Sequence, residues 1–218
     1  MLRQIFLVAA LFGLSGCGDK TPQEAIVGAV ASLVPAAGNL LPGGGTPSTS
    51  GFGAADIAAN PGGFRLIGIP TMSPLSLARL TQQNGAGDTW QSQLGYSASF
   101  ERGLLVATRR LGDDLIAAET GAVLAAIRAG GGTAVRIHDT LNSLDQIVTV
   151  SYNCVIVADG SETLTVGLSE VTARKMTETC LGGNVQFENA YWLDDSGNII
   201  ASRQFVSQTV AYLRASKL

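Results

Sequence analysis

Few side chains in this sequence have a type and spacing that could perform chemistry. His138 is the single histidine, so it cannot form a multi-histidine metal site, and no serine stands in the Gly-x-Ser-x-Gly context of a hydrolase nucleophile. In the segment VRIHDTL this histidine is most simply a partly exposed strand residue. The glycine run at 130–132 lacks the lysine and the following helix of a phosphate-binding loop. The sequence therefore predicts no metal, no cofactor and no nucleophilic catalysis.

Two pairs of adjacent carboxylates are the remaining candidates for catalysis, because paired carboxylates hydrolyse glycosidic bonds. These pairs are Asp113-Asp114 and Asp194-Asp195. Each pair also stands where a helix start or a turn favours aspartate, and that structural role is sufficient to explain it. A polysaccharide-modifying hydrolase that uses these carboxylates is the rival to a non-enzymatic protein.

Three aromatic side chains could stack on sugar rings, namely Trp90, Tyr191 and Trp192. Such residues more often fill a core or its edge, and both roles stay open. In the segment FENAYWL, the alternation of a strand places Phe187 and Tyr191 on one face and Trp192 on the other. We therefore expect at least one of these aromatic rings to face outward.

The first residues predict export and lipid attachment. Arg3 precedes an apolar stretch at 5–13, which is too short to span a bilayer and is typical of a secretory signal peptide. The sequence LSGC at 14–17 resembles the bacterial lipobox, which assigns residues 1–16 to the signal peptide and Cys17 to acylation. Acyl chains on Cys17 would hold the protein in membrane lipid. Gly18, rather than aspartate, favours the outer membrane with the domain in the periplasm; an ordinary secretion signal is the alternative.

The other two cysteines indicate the redox environment of the protein, and its low charge limits the kinds of partner that it can bind. Cys154 and Cys180 remain after lipidation, and an exported protein meets oxidising conditions, so we expect one disulfide. Two buried free thiols are the alternative. Charged residues make up 14% of the chain and the net charge is −3, so no basic surface is available to neutralise nucleic-acid phosphates.

A tether at 17–63 is expected to separate the anchor from the domain. The segment TPQE at 21–24 has the form of a capping box, and apolar residues at helical spacing then predict a short helix at 22–34, which Pro35 ends. From 36 to 63 the chain is built mainly of Gly, Pro, Ser, Ala and Thr, which predicts a flexible spacer.

The domain at 64–218 is predicted to be mainly β, with antiparallel sheets built from successive hairpins and one or two short helices. The predicted strands lie at 64–70, 75–82, 96–111 with a turn at 101–103, 147–157, 164–168, 185–193 and 198–206. An alanine-rich segment at 113–129, followed by Gly130, predicts one helix, with an interruption at Gly121 as the alternative. Asp159 and Gly160 predict a tight turn, and a Cys154–Cys180 bridge would then join two successive hairpins.

Two segments carry a family resemblance. Together with the lipobox, GLLVATRRLGDDL at 103–115 and FENAYWLDDSGNIIASRQFVSQTVAYL at 187–213 resemble the YjbF family of bacterial lipoproteins, which includes the group 4 capsule lipoprotein. The likeness extends from 64 to the end, with glycine expected where this chain has Arg110. It implies a mostly β domain of antiparallel sheets, anchored to the outer membrane and encoded with machinery for exopolysaccharide or capsule production. No enzymatic activity or catalytic residue comes with it.

The sequence thus favours an accessory lipoprotein over the hydrolase. Cys17 would anchor the chain, and the domain would contact polysaccharide or an outer-membrane export protein. A structural lipoprotein of the envelope with no glycan role is the third possibility.

Overall fold

The computed structural model describes residues 54–142, 144–167 and 169–218. The predicted signal peptide, Cys17, the helix predicted at 22–34 and most of the spacer lie outside these residues. The last part of the predicted spacer contains a six-residue helix, α1 (Ala54–Ala59), and a 3-10 turn (Pro61–Gly63). The first strand begins at Phe64, directly after this turn.

Twelve antiparallel strands form one nearly closed, barrel-like sheet, which confirms the predicted fold class. Neighbouring strands in the sheet are neighbours in sequence, except that the first strand also pairs with the last. The strands are β1 (Phe64–Ile69), β2 (Ser73–Asn84), β3 (Gly87–Ser92), β4 (Ser97–Glu101), β5 (Leu104–Arg109), β6 (Leu115–Glu119), β7 (Gly132–Leu141), β8 (Ile147–Val166), β9 (Ser169–Gly182), β10 (Val185–Leu193), β11 (Ile199–Ser207) and β12 (Ala211–Lys217).

The side chain of Arg109 bridges the two edges of the sheet, which are β5 and β6. Its guanidinium donates hydrogen bonds to the carbonyl oxygen of Leu115 at 3.2 Å and to that of Ile116 at 3.3 Å. A side chain, and no further strand, thus joins β5 to the backbone of β6.

The core follows from the alternation of each strand. In β8, Tyr152, Cys154 and Ile156 are buried, whereas Val155 and Val157 on the other face are half-exposed. The buried residues belong to two large apolar clusters on the inner face of the sheet. Helix α2 (Gly121–Arg128) packs into the second cluster through its apolar side. It ends as predicted, with the backbone N–H of Gly130 donating to Ile127.

The helix predicted over 113–129 is wrong in its first half. Residues 115–119 form β6, and only the part from Gly121 is helical. Leu115 is fully buried in the first cluster, and the backbone of β6 pairs with β7, so tertiary packing outweighs the helix propensity of alanine. The Asp114 carboxylate accepts hydrogen bonds from the backbone N–H groups of Arg110 and Leu111, so it holds a turn instead of starting a helix.

Arg110, in the same turn, has the left-handed backbone angle φ of +72°. Glycine adopts this conformation without steric cost, whereas a residue with a Cβ does not. The expectation of glycine at this position therefore has a conformational basis. In this chain the backbone of Arg110 is locally strained.

The tight turn predicted at Asp159 and Gly160 is also wrong. Strand β8 continues through these residues with a bulge, which shifts the register between Ala158 and Ser161, and Gly160 has φ of +74°. The chain reverses only at Gly167. Leu164 and Val166 therefore lie on the outgoing strand, and Leu168 lies outside the described residues.

The structure contains the expected disulfide between Cys154 and Cys180. These residues face each other directly in β8 and β9, with their Cα atoms 4.0 Å apart. The bridge therefore joins the two strands of one hairpin, and the prediction that it joins successive hairpins is wrong. The error follows from the misplaced turn, because a turn at Gly160 would make residues 164–168, instead of β9, the returning strand.

Candidate functional site

A long hairpin folds over the outer face of the sheet and builds the candidate site. The hairpin arm comprises residues 161–166 of β8 and 169–174 of β9, beyond the bulge. Val166 and Ala173 of the arm pack against Ile200 of β11 in a third apolar cluster. A Cβ added at Gly167, near the tip, would overlap the carbonyl carbon of Leu218, so the arm also contacts the end of the chain.

A cleft of about 480 Å³ lies between the hairpin arm and the outer face of β10, β11 and β12. We call it the Trp192 cleft. Its walls combine one indole ring, cationic and anionic side chains, hydroxyl groups and a few aliphatic groups. The aromatic and charged members are Glu162, Lys175, Glu188, Trp192, Arg203 and Arg214.

Contacts with the arm and with strand β11 hold the indole of Trp192 in place. Its Nε1–H donates a hydrogen bond to the Glu162 carboxylate at 3.0 Å, and its ring packs against the cluster that contains Ile200. An indole that is held by a hydrogen bond and by packing offers a rigid, partly exposed apolar surface beside polar groups. Such a surface can stack on the face of a flat or cyclic ligand.

Most charges of the Trp192 cleft are paired. The Lys175 ammonium lies 3.0 Å from Asp159 and 3.9 Å from Glu162. Its hydrogen bond with Asp159 raises the pKa of Lys175 and lowers the pKa of Asp159. Arg203 lies 3.3 Å from Glu188, and its guanidinium covers the ring of Tyr212 at 4.6 Å.

Arg214 differs from the other cations of the cleft. Within the part of the chain that the structure describes, its side chain forms no hydrogen bond or ion pair. It stands directly opposite Arg203 in the pairing of β11 with β12. Two like charges therefore meet across neighbouring strands, which is unfavourable, and of the two only Arg203 has an anionic partner, Glu188.

The three aromatic residues predicted as possible stacking surfaces differ in their exposure to solvent. Tyr191 is fully buried, and Trp90 is 6% exposed beneath the guanidinium of Arg65, so the core alternative describes both. Burial lowers the pKa of Arg65 to about 10 despite the nearby Asp88. Trp192 alone of the three lines the cleft, on the face opposite Phe187 and Tyr191 as the alternation predicts.

A buried polar network behind Trp192 was missed by sequence reasoning. The Arg136 guanidinium donates to both Glu178 oxygens, at 3.0 and 3.1 Å, and to the Tyr191 hydroxyl at 2.9 Å. Asn189 donates to the same carboxylate at 2.7 Å and accepts from the backbone N–H of Phe205 at 2.7 Å. Alternation assigns each side chain to one face of its own strand. It does not show which polar side chains from different strands meet, so the sequence does not reveal this network.

The network stabilises the charged form of its arginine. Burial favours the neutral form of Arg136, but the Tyr191 and Glu178 groups outweigh that effect and raise its pKa. Burial also raises the pKa of Tyr191 well above its ordinary value. Because Tyr191 immediately precedes Trp192, this network fixes the strand that presents the indole to the cleft.

His138 is buried, so the prediction of a partly exposed strand histidine is wrong. It is 1% exposed and its ring lies between Tyr152 and Phe187, with centroids at 5.2 and 5.8 Å. Burial, aided by the charge of Arg136, lowers its pKa to about 3. Asp113 and Ser207 line the same small cavity of about 250 Å³, but a histidine with so low a pKa is a weak general base at neutral pH.

The paired carboxylates are largely committed to turns. Asp114 binds backbone N–H groups as described above, and the Asp194 carboxylate accepts from the backbone N–H of Asn198 at 2.8 Å. Burial opposes ionisation of Asp194, but the hydrogen bonds from Asn198 prevail and its pKa is lowered. Asp195 belongs to the same turn between β10 and β11. A carboxylate whose pKa is lowered, like that of Asp194, is a poor general acid.

The one compact group of metal-binding residue types among the described residues is Cys154, Glu178 and Cys180. The disulfide occupies both sulfur atoms, and the carboxylate already binds Arg136. The group is therefore explained without a metal. Within the described part of the chain, no helix has the length and hydrophobicity needed to cross a bilayer.

Comparisons with known proteins place the chain in a family. The family model described as "Group 4 capsule polysaccharide lipoprotein gfcB, YjbF" matches residues 45–218. Among solved structures, the hypothetical lipoprotein YmcC from Escherichia coli (K12) is similar at 18% identity with a TM-score of 0.61, over 70% of this chain and 84% of that chain. This likeness shows a shared fold. No curated protein sequence gives a significant match. The family match covers most of the chain and includes both segments that carry the resemblance, so the chain belongs to the YjbF family of capsule polysaccharide lipoproteins.

Proposed function

We propose that this protein is an outer-membrane-anchored lipoprotein that acts as a non-enzymatic accessory factor in exopolysaccharide or capsule production and export. The proposal assigns acylation to Cys17 and polymer binding to the Trp192 cleft. The observation that carries it is the cleft itself, in a chain whose family description names capsule polysaccharide.

The shape and lining of the Trp192 cleft support glycan binding. Its volume of about 480 Å³ falls within the range of small-molecule sites, which is roughly 300–1,000 Å³. An indole face can stack on a sugar ring, while the surrounding carboxylates, guanidinium groups and hydroxyls can bind its polar substituents. The hairpin arm and the sheet provide the two walls, so the site is held by paired strands.

The positions of the candidate catalytic groups support a binding role over hydrolysis. Asp114 and Asp194 hold turns through hydrogen bonds to backbone N–H groups, and His138 is buried with a pKa of about 3. Retaining and inverting glycosidases instead need two accessible carboxyls, one of which can stay protonated near neutral pH.

Cys17→Ala tests the anchor. We expect the variant to leave the membrane fraction and to abolish polymer secretion while the domain remains folded, as judged by circular dichroism. Ser15→Ala is the matched control, because it changes the same segment but keeps a small residue there. Undiminished secretion by the released variant would contradict the proposal.

Incubation of the purified protein with the native polymer tests the hydrolase rival. A non-enzymatic factor leaves the chain length unchanged over many equivalents of polymer, as measured by size-exclusion chromatography. Shortening of the polymer with turnover, and its loss in Asp113→Asn or Asp195→Asn variants, would establish the rival instead.

A further inference from the structure

We propose that the Trp192 cleft is selective for an acidic sugar unit, in which a uronate-type carboxylate binds between Arg214 and Arg203 while the sugar ring stacks on Trp192. This inference rests on the proposed function and adds the chemical class of the ligand.

The first argument is the unbalanced pair of arginines. Arg203 and Arg214 are cross-strand partners on the outer face, where Cβ atoms of opposite residues lie about 5 Å apart. Both line the cleft, and Glu188 already binds Arg203, so a carboxylate there would pair with Arg214 and lie beside the guanidinium of Arg203. Guanidinium groups bind carboxylates through paired, charge-assisted hydrogen bonds, which neutral sugars cannot offer.

The second argument is which charges are already used. Lys175 is paired with Asp159 and Glu162, and Glu188 is paired with Arg203. With Asp159 included, three carboxylates stand beside the three cations of the cleft, and Arg214 is the one cation of the lining that has no anionic partner among the described residues.

The third argument is the fixed position of the ring. The Glu162 carboxylate holds Nε1 of Trp192, so this carboxylate is occupied and the indole face is oriented. In the sheet, Trp192 pairs with Ala201, and the neighbouring pair on the same face is Ala190 with Arg203. Ala201 and Ala190, the small members of these two pairs, leave space between the indole of Trp192 and the guanidinium of Arg203. A sugar ring and its carboxylate can lie side by side in this space.

Fluorescence of Trp192 provides a direct assay. The chain has two tryptophans, and Trp90 is buried, so a Trp90→Phe background of the full-length protein in detergent reports on the cleft. Oligogalacturonate and oligoalginate are the acidic probes, and maltohexaose is the neutral one. We expect both acidic probes to change the emission at lower concentration than maltohexaose, with affinity that falls as salt rises.

Arg214→Gln identifies the carboxylate site. We expect it to weaken binding of the acidic probes at least tenfold. Because the substitution removes a like-charge contact, the urea midpoint of the free protein should stay the same or rise. Arg128→Gln, which makes the same charge change at an exposed position of α2, should bind like the parent. Isothermal titration calorimetry on Trp192→Phe should show weaker binding of the same probes.

The outcomes separate this inference from the proposed function. Equal binding of maltohexaose and the acidic probes, with no effect of Arg214→Gln, would overturn acid selectivity while glycan binding stands. Failure of both acidic probes to bind would also overturn the inference, and the Cys17→Ala secretion experiment would still test the function. Equal losses in Arg214→Gln and Arg128→Gln would show a general charge effect and would overturn the assigned site.

Discussion

Acidification should destabilise this protein through its single histidine. In the folded state, burial and the charge of Arg136 lower the pKa of His138 from its ordinary value of 6.5 to about 3. Between these two pH values the unfolded chain binds a proton that the folded chain does not bind. The stability that neutral His138 contributes is therefore present above pH 6.5 and is lost as the pH falls towards 3.

The magnitude follows from the difference between the two pKa values. Each pH unit inside the window costs about 1.4 kcal/mol, so roughly 2.5 kcal/mol of unfolding free energy should be lost between pH 7.5 and 4.5. This is a large part of the roughly 5–15 kcal/mol of a typical domain. Urea unfolding followed by circular dichroism at half-unit pH steps measures the slope. Nuclear magnetic resonance of the imidazole ring reports the pKa of His138 directly, because no other histidine interferes.

His138→Phe is the control for this slope. A phenyl ring can continue the aromatic contacts with Tyr152 and Phe187, and it removes the buried Nε2 atom, which has no hydrogen-bond partner among the described residues. We expect its stability to vary little between pH 7.5 and 4.5. A His138 ring that titrates near 6.5, or an equal loss of stability in the variant, would refute the reasoning.

Three further predictions concern other parts of the fold. Arg136→Met should lower the unfolding free energy by about 3–5 kcal/mol, because it leaves Glu178 buried and unpaired. The double variant Arg136→Met/Glu178→Leu should lose less than the sum of the two single variants, and a double-mutant cycle from urea unfolding measures this coupling. Arg110→Gly should stabilise the protein by about 0.5 kcal/mol because φ is +72°, with Arg110→Ala giving no gain in thermal unfolding. Replacing Cys154 and Cys180 with serine should cost about 3.5 kcal/mol, because their bridge spans 26 positions; a urea midpoint equal to that of the parent would contradict this.

The sequence predicts those elements whose information is local. The hairpin of β10 and β11 shows clear alternation on both sides of a turn rich in Asp, Ser and Gly, and it forms at 185–193 and 199–207. The turn at 101–103 is likewise encoded by Gly103, which has φ of +91°. In both cases the residues that fix the structure are neighbours in the chain.

The failures have a common physical cause, which is competition between local preference and long-range pairing. Alanine-rich residues at 115–119 prefer a helix in isolation, but their backbone pairs with β7 and Leu115 fills the core. Gly160 and Asp159 suit a turn, yet Lys175 and Thr177 of β9 bind Asp159 and keep the strand paired through a bulge. A single sequence does not reveal which distant strand will supply such partners.

The Trp192 cleft depends on this second failure. Trp192 could be named from the sequence because alternation within one strand sets its face. Lys175 lies opposite Trp192 in the pairing of β9 with β10, but Glu162 could not be named, because it reaches the indole only when β8 continues past the bulge and the hairpin arm folds back over β10 and β11. A turn at Gly160 would end the hairpin before Glu162 and leave the ring on an open sheet face. The bulge is therefore the feature that converts an exposed aromatic residue into a two-walled site.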